Sequence, residues 1–354
     1  MKALVLSGGR ATRLRPITHT SAKQLVPVAN KPILFYALES IADAGITDVG
    51  IIVGHTAQEI KAAVGGGERW GIKATYIPQE APLGLAHAVK IAEPFLGSDR
   101  FVMFLGDNLI RDGIKDVVRR FQGEQANAHI MLAKVRNPQE FGVAELDGDR
   151  VLRLVEKPTE PKSDLALVGV YLFDSHVFEA VNAIEPSARG ELEITDAIQY
   201  LIDKSYVVHW HQITGWWKDT GKLEDLLEAN RLVLETLETR IDGEVDGTSA
   251  VHGRVVIEKG SSIVGSVIRG PAVIGEGCQI EDSYVGPFTS VYNRVKILGS
   301  EVEHSIILED SCIRNIGARI EDSLIGKNVM VAKDDSRPRA YRLMLGDNSD
   351  VKVM

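Results

Sequence analysis

Met1-Lys-Ala-Leu-Val-Leu-Ser-Gly-Gly-Arg-Ala-Thr-Arg-Leu-Arg-Pro16 opens the chain, and Ser21-Ala-Lys-Gln-Leu-Val-Pro-Val-Ala-Asn-Lys-Pro32 follows it closely. The apolar run Ala3–Leu6 reads as a buried strand that empties into a glycine-basic loop. Gly8 and Gly9 let the backbone approach an anion with its N–H groups forward. Arg13 and Lys23 add positive charge where a pyrophosphate would leave. Taken alone, Gly8-Gly9 would equally serve a tightly packed turn between strand and helix. The ordered string of glycines and cations is what points to a triphosphate.

Short apolar runs alternate with helical stretches through residue 215, the pattern of an α/β domain with a largely parallel sheet. Candidate strands are Ala3–Leu6, Val49–Val53, Ala74–Tyr76, Phe101–Leu105, His129–Ala133 and Val168–Phe173. Pro32–Ala44 is amphipathic and closed by Gly45, as a helix ending at glycine should be. The Gly8 loop and Gly106-Asp107-Asn108 both fall at strand ends, so they should face one crevice, where such sheets bind ligands.

A helix is expected over 222–240, with Leu223, Leu226, Leu227, Asn230, Leu234 and Leu237 along one stripe, linking a first domain (1–240) to a second. Beyond it the periodicity changes. Val245, Val251, Ile257 and Ile263 are six residues apart, and so are Ile268, Ile274 and Ile280 after a five-residue step. Val285, Val291 and Ile297 continue the run, as do Ile307 and Ile313. This is the hexapeptide rhythm of a left-handed parallel β-helix, expected over 241–335. The tail, 336–354, is expected to cover one end of that prism or dock on a neighbouring subunit.

Bulk properties narrow the partners. With 44% apolar and 25% charged residues the chain is composed like a soluble globular protein. A net charge of −9 argues against a nucleic-acid footprint. Cys278 and Cys312 are too few for a disulfide framework or a four-thiolate zinc site. With no signal-like or membrane-spanning run, the expectation is a cytoplasmic protein without a membrane partner.

Gly-Gly-x-x-Thr-Arg-Leu-x-Pro followed by Lys-Gln-Leu-x-Pro-Val resembles the signature of the sugar nucleotidylyltransferases, and the likeness extends over roughly the first 235 residues. The resemblance implies a Rossmann-like catalytic domain, Mg²⁺, and transfer of a nucleotidyl group to a sugar 1-phosphate. Asp107, in Phe-Leu-Gly-Asp-Asn-Leu, and Asp219, in Gly-Trp-Trp-Lys-Asp-Thr-Gly, are similar to the family's two metal-binding aspartates. Gln79-Glu-Ala-Pro-Leu-Gly-Leu-Ala-His-Ala88 resembles its base-recognition segment, with Gln79, Gly84 and Leu85 near the base. Leu6, Gly8, Gly9, Ala11, Thr12, Arg13, Gln24 and Asp107 complete the implied nucleotide side. Ala11 stands where the family usually has glycine.

On the sugar side, Glu156-Lys-Pro-Thr-Glu-Pro-Lys-Ser runs parallel to the family pattern. Glu156 is expected to accept from sugar hydroxyls and Lys157 to hold the attacking phosphate. Arg189 resembles a phosphate-contacting arginine. Asn108, Gly142, Leu167, Gly169 and Trp217 are expected to line the sugar pocket, and Phe141 replaces a tyrosine frequent in short-form relatives.

The implied catalytic set is Arg13, Lys23, Asp107, Lys157 and Asp219, with Asp107 and Asp219 on the metal. Glu-Lys-Pro-x-x-Pro-Lys-Ser and Glu-Leu-Glu-Ile-Thr-Asp lean towards dTTP and glucose 1-phosphate as substrates, in a homo-oligomer. UTP, ATP or GTP specificity stays open. So do acyl transfer on the β-helix through His252 or His304, and a binding-only role, which Ala11 favours.

Overall fold

A computed structural model describes residues 1–9, 14, 17 and 22–334. Ala11, Thr12, Arg13 and the tail 336–354 lie outside the described residues. The chain divides into two compact units, one ending at Leu237 and one beginning at Glu238.

Strands of the first unit, in chain order, are β1 (Lys2–Ser7), β2 (Pro27–Val28), β3 (Lys31–Pro32), β4 (Asp48–Val53), β5 (Lys73–Pro78), β6 (Phe101–Leu105) and β7 (Asn108–Ile110). Then come β8 (Ala128–Lys134), β9 (Gly142–Asp147), β10 (Arg150–Glu156), β11 (Leu165–Phe173), β12 (Val208–Gln212) and β13 (Trp217–Asp219). One sheet runs β10-β9-β11-β6-β1-β4-β5, with β8 also on β11 and β12 on β8. Neighbours β6, β1, β4 and β5 are parallel, as are β8 and β12. Strand β11 runs against β6, β8 and β9, and β10 against β9. All but β10 and β11 therefore share one direction, which makes this a Rossmann-like α/β sheet.

The central strands are apolar on both faces because helices cover both. Along β1, Ala3 and Val5 enter one core while Leu4 and Leu6 enter the other. Val102 and Phe104 divide from Phe101 and Met103 in the same way on β6. The helix Ile33–Asp43 buries Ile33, Leu34, Ala37, Leu38 and Ile41, a stripe at helical spacing. Gly45, at φ +79°, stops it. Pro32 falls outside this helix, paired with Pro27 in the β2–β3 hairpin.

The later helix is shorter than the sequence suggests. It spans Leu223–Leu234, because Thr236 turns back on Val233 O with its N–H at 3.0 Å and its hydroxyl at 2.7 Å. Arg240-Ile241 already pairs with Val256-Ile257 as a strand of the second unit.

That second unit is a left-handed parallel β-helix. Among the described residues, two of its faces carry six short strands and the third carries four. Ile263, Ile280, Ile297 and Ile313 stack in register on one face, all fully buried. A second column is polar. Ser249, Ser266 and Ser283 each accept, at the hydroxyl, an N–H from the serine 17 residues ahead, at 3.0–3.2 Å. These hydroxyls meet backbone donors that would otherwise be buried without partners. His304 lies at a corner, its Nδ1 engaging Asp322 and its ring edge-on to Phe288 at 6.0 Å.

Candidate active site

Two neighbouring cavities open at the carboxyl ends of β1, β5, β6 and β8. One, of about 470 Å³, is lined by Leu6, Gly8, Gly9, Lys23, Gln24, Gln79, Gly84, Leu85 and Asp107, together with Ile52, Pro82, Leu105, Glu191 and Gly221. The other, of about 380 Å³, has Asn108, Phe141, Gly142, Glu156, Lys157, Leu167, Gly169, Trp217 and Asp219 in its wall. Leu85, Leu105 and Gly221 belong to both walls, so the cavities meet there. Every described residue expected on the nucleotide side lines the first cavity. On the sugar side all but Arg189 line the second.

Close backbone approach builds the first cavity. Gly84 sits at φ +105°, and a Cβ there would lie 2.3 Å from Leu192 O. The Leu83–Leu192 backbone bond, 2.8 Å, holds this turn against the segment before the helix Ile194–Asp203. Gln79 leaves β5 with its Nε2 donating to Gly84 O at 3.2 Å and meeting His87 Nδ1 at 3.1 Å. A Cβ on Gly8 would come within 3.4 Å of Gln79 Oε1. The amide is thus fixed beside the glycine loop, and Gln24 is buried nearby.

Asp107 and Asp219 come together although 112 positions part them in sequence. The β7–β13 ladder sets Asp219 opposite Asn108. Thr220 then clasps Asp107 O with its N–H at 3.1 Å and its hydroxyl at 2.8 Å. Asn108 is buried, donates to Asp107 Oδ1 at 2.9 Å and accepts from Trp217 Nε1 at 2.6 Å. Gly169 makes room for it, since a Cβ there would lie 2.5 Å from Asn108 Oδ1. The β11–β8 ladder slips register between Leu167 and Tyr171, around that glycine.

Lys23 Nζ binds Asp107 Oδ2 at 2.6 Å and stands 4.0 Å from Asp219 Oδ1. Burial alone would raise the Asp107 carboxyl. The Lys23 ammonium, with hydrogen bonds from Lys23 and Asn108, instead holds it below the ordinary range. Two carboxylates converging on one cation form a hard-oxygen donor set, the kind that suits Mg²⁺. The residues fit such an ion. Lys23, expected on pyrophosphate, is here engaged by the carboxylate pair.

The second cavity places its acid and bases differently. Burial pushes the Glu156 carboxyl up despite Lys157 and Arg189 close by. Lys157 takes φ +42°, its N–H tied to Phe141 O at 3.0 Å and its Nζ 3.7 Å from Glu156 Oε1. Trp217 meets Phe141 edge-on at 5.2 Å. Arg189 is not part of either wall. Its guanidinium lies 3.2 Å from Glu156, 3.2 Å from Glu191 and 3.4 Å from Glu193. Thr220, Glu191 and the Lys222–Glu140 pair, 2.6 Å apart, were not singled out in the sequence. Thr220 and Glu191 each had a signal, Thr220 beside Asp219 in Trp-Lys-Asp-Thr-Gly and Glu191 at the head of Glu-Leu-Glu-Ile-Thr-Asp.

Comparison with known proteins bears on this geometry. Residues 2–236 match the nucleotidyl transferase family. The chain belongs to that family. Enzymes of the family generally work with a divalent metal on a nucleoside triphosphate and a sugar phosphate. The chain is similar to the glucose-1-phosphate thymidylyltransferase of Streptomyces antibioticus, 59% identical over all of this chain and 99% of that one. Its similarity to the Streptomyces griseus enzyme of the same description is 58%, with the same coverage. Among solved structures, it resembles a Bacillus anthracis protein described as a glucose-1-phosphate thymidylyltransferase in complex with a sucrose. That match has 38% identity and a TM-score of 0.63, covering 66% of this chain and 94% of that one. Among the described residues no helix is long and apolar enough to cross a membrane.

Proposed function

We propose that this chain converts dTTP and α-D-glucose 1-phosphate to dTDP-glucose and diphosphate, supplying dTDP-sugar synthesis. The observation that carries the proposal is the junction of the two cavities, with Asp107 on one wall and Asp219 on the other. The nucleoside triphosphate takes the cavity of Gly8, Gln79 and Gly84, and the hexose phosphate takes that of Glu156 and Lys157. The two phosphates then meet at the carboxylates. A sugar phosphate is already an anionic nucleophile at neutral pH, so no general base is needed.

Its phosphate oxygen attacks the α-phosphorus, the bond to the bridging oxygen of the pyrophosphate breaks, and that oxygen leaves with the electron pair. Lys157 orients the attacking phosphate, and Glu156 accepts from sugar hydroxyls, with Arg189 steadying its carboxylate. Gln79 offers a donor and an acceptor to the pyrimidine edge. Arg13 supplies charge to the leaving group. Asp107 and Asp219 would hold Mg²⁺, kept in position by Lys23, Asn108 and Thr220. Bound there, the ion neutralises phosphate charge.

Pyrophosphate release with glucose 1-phosphate and each of dTTP, UTP, ATP and GTP tests the reading. The expected order puts dTTP first, UTP behind it by the about 1–3 kcal/mol that a methyl-sized pocket supplies, and the purines far behind. Equal rates with all four would remove Gln79 from base recognition. No release with any would remove the reaction.

A further inference from the structure

Glu124, His129 and His209 form the only group of three or more His, Cys, Asp or Glu side chains with converging donor atoms among the described residues. Their donor atoms all lie within 4.8 Å of one another. The fold brings them together from three elements. Glu124 caps the helix Lys115–Gly123. His129 is the second residue of β8 and stands in register with His209, the second residue of β12. The group sits at the amino ends of these strands, whereas β8 reaches the sugar cavity at its other end, through Val135, Arg136 and Asn137.

His129 makes the arrangement more than a surface ion pair. It is only 3% exposed, yet neither ring nitrogen has a hydrogen-bond partner. Buried polar groups in folded proteins are nearly always satisfied, so a ring left without partners calls for a ligand. Its Nδ1 lies 3.9 Å from Glu124 Oε2, and the same oxygen is 2.7 Å from His209 Nδ1. The two rings meet edge-on at 6.2 Å.

We propose that Glu124, His129 and His209 bind one divalent transition-metal ion of the zinc class. Two imidazole nitrogens and one carboxylate oxygen are a zinc-type donor set, unlike the all-oxygen pair at the cavity junction. His209 is half exposed, which leaves the fourth position to water. Binding takes the place of the His209–Glu124 contact and clamps the edge strand β12 to β8 and to the end of the helix.

The test uses the full, untagged chain, stripped with a chelator and titrated with Co²⁺ and then Zn²⁺ in excess Mg²⁺. One Co²⁺ per chain should bind with the visible absorption of a four-coordinate nitrogen–oxygen site, and Zn²⁺, not Mg²⁺, should displace it. His209→Asn, on the half-exposed ligand, and Glu124→Gln should each weaken binding by at least about 100-fold. Both should retain pyrophosphate release with Mg²⁺. Zn²⁺ should raise the melting temperature of the parent chain and not of His209→Asn. Unchanged Co²⁺ affinity in both variants overturns the site, as does an absorption spectrum no different from Co²⁺ in buffer. Binding lost only in Asp107→Asn would also overturn it, by moving the ion to the cavities.

Discussion

The cavity junction and the β-helix solve opposite problems with similar materials. Around Asp107 the chain crowds unlike groups together: two carboxylates, an ammonium, a buried amide and a glycine that exists to let the amide in. In the β-helix the same few groups recur, with isoleucine on isoleucine and serine on serine at a fixed step. Uniqueness serves chemistry and repetition serves stability. Loss of one group at the junction should therefore change rate, and loss of one group in the prism should change only folding.

The sharpest test of that contrast is Asp107→Asn. It removes a charge on which Lys23 and the metal both depend, and turnover should fall by about 10²–10³-fold or more. Thermal melting should fall by less than in a core truncation of the prism, the cost being that of the Lys23 pair alone, and a larger loss of stability would blur the distinction. Ile280→Ala should do the reverse. A fully buried isoleucine stacked between Ile263 and Ile297 costs about 2–5 kcal/mol to truncate, with the rate per folded chain unchanged. Urea unfolding followed alongside initial rates reads both.

Gly169→Ala lies between the two cases. Its methyl would meet Asn108 Oδ1 at 2.5 Å, push the amide off Asp107 and misplace the carboxylate. Turnover should drop about 10–100-fold, with a modest stability loss. If Gly169→Ala keeps full rate, Asn108 does not position Asp107.

The smallest effect is one of pH. Lys23 depresses the Asp107 carboxyl, so the pair's contribution to stability is complete above the ordinary carboxylate range and is lost as pH falls through the lower, folded value. Melting temperatures of the parent chain and Lys23→Met should differ most near neutrality and converge in acid. A gap that stays constant with pH would mean Lys23 acts by packing alone.

How far each region could be read beforehand follows from the same contrast. The prism was legible because stacking demands only an aliphatic residue at every sixth position, and that demand is written locally. Its central coils are 17 residues long and appear in the sequence as the five-residue steps, while pairs toward either end are 16 or 18 residues apart. The cavity walls were legible where one strand end carries its own motif, as at Gly8, Gln79 and Asp107. Hidden were the groups that act through distant pairing. Thr220 matters only because β13 meets β7. Arg189 spends its guanidinium on Glu156, Glu191 and Glu193, which no spacing announces. His129 and His209 are neighbours only because β12 returns beside β8 after 80 residues, so no local pattern connects them to each other or to Glu124.

The serine column sets a rule for how this protein can vary in length. Each hydroxyl receives an amide one coil ahead, so cutting a whole turn returns every donor to a waiting oxygen. A cut of half a turn strands all those beyond it. The second unit can thus be lengthened or trimmed only in whole turns, as a spiral stair gains or loses complete flights.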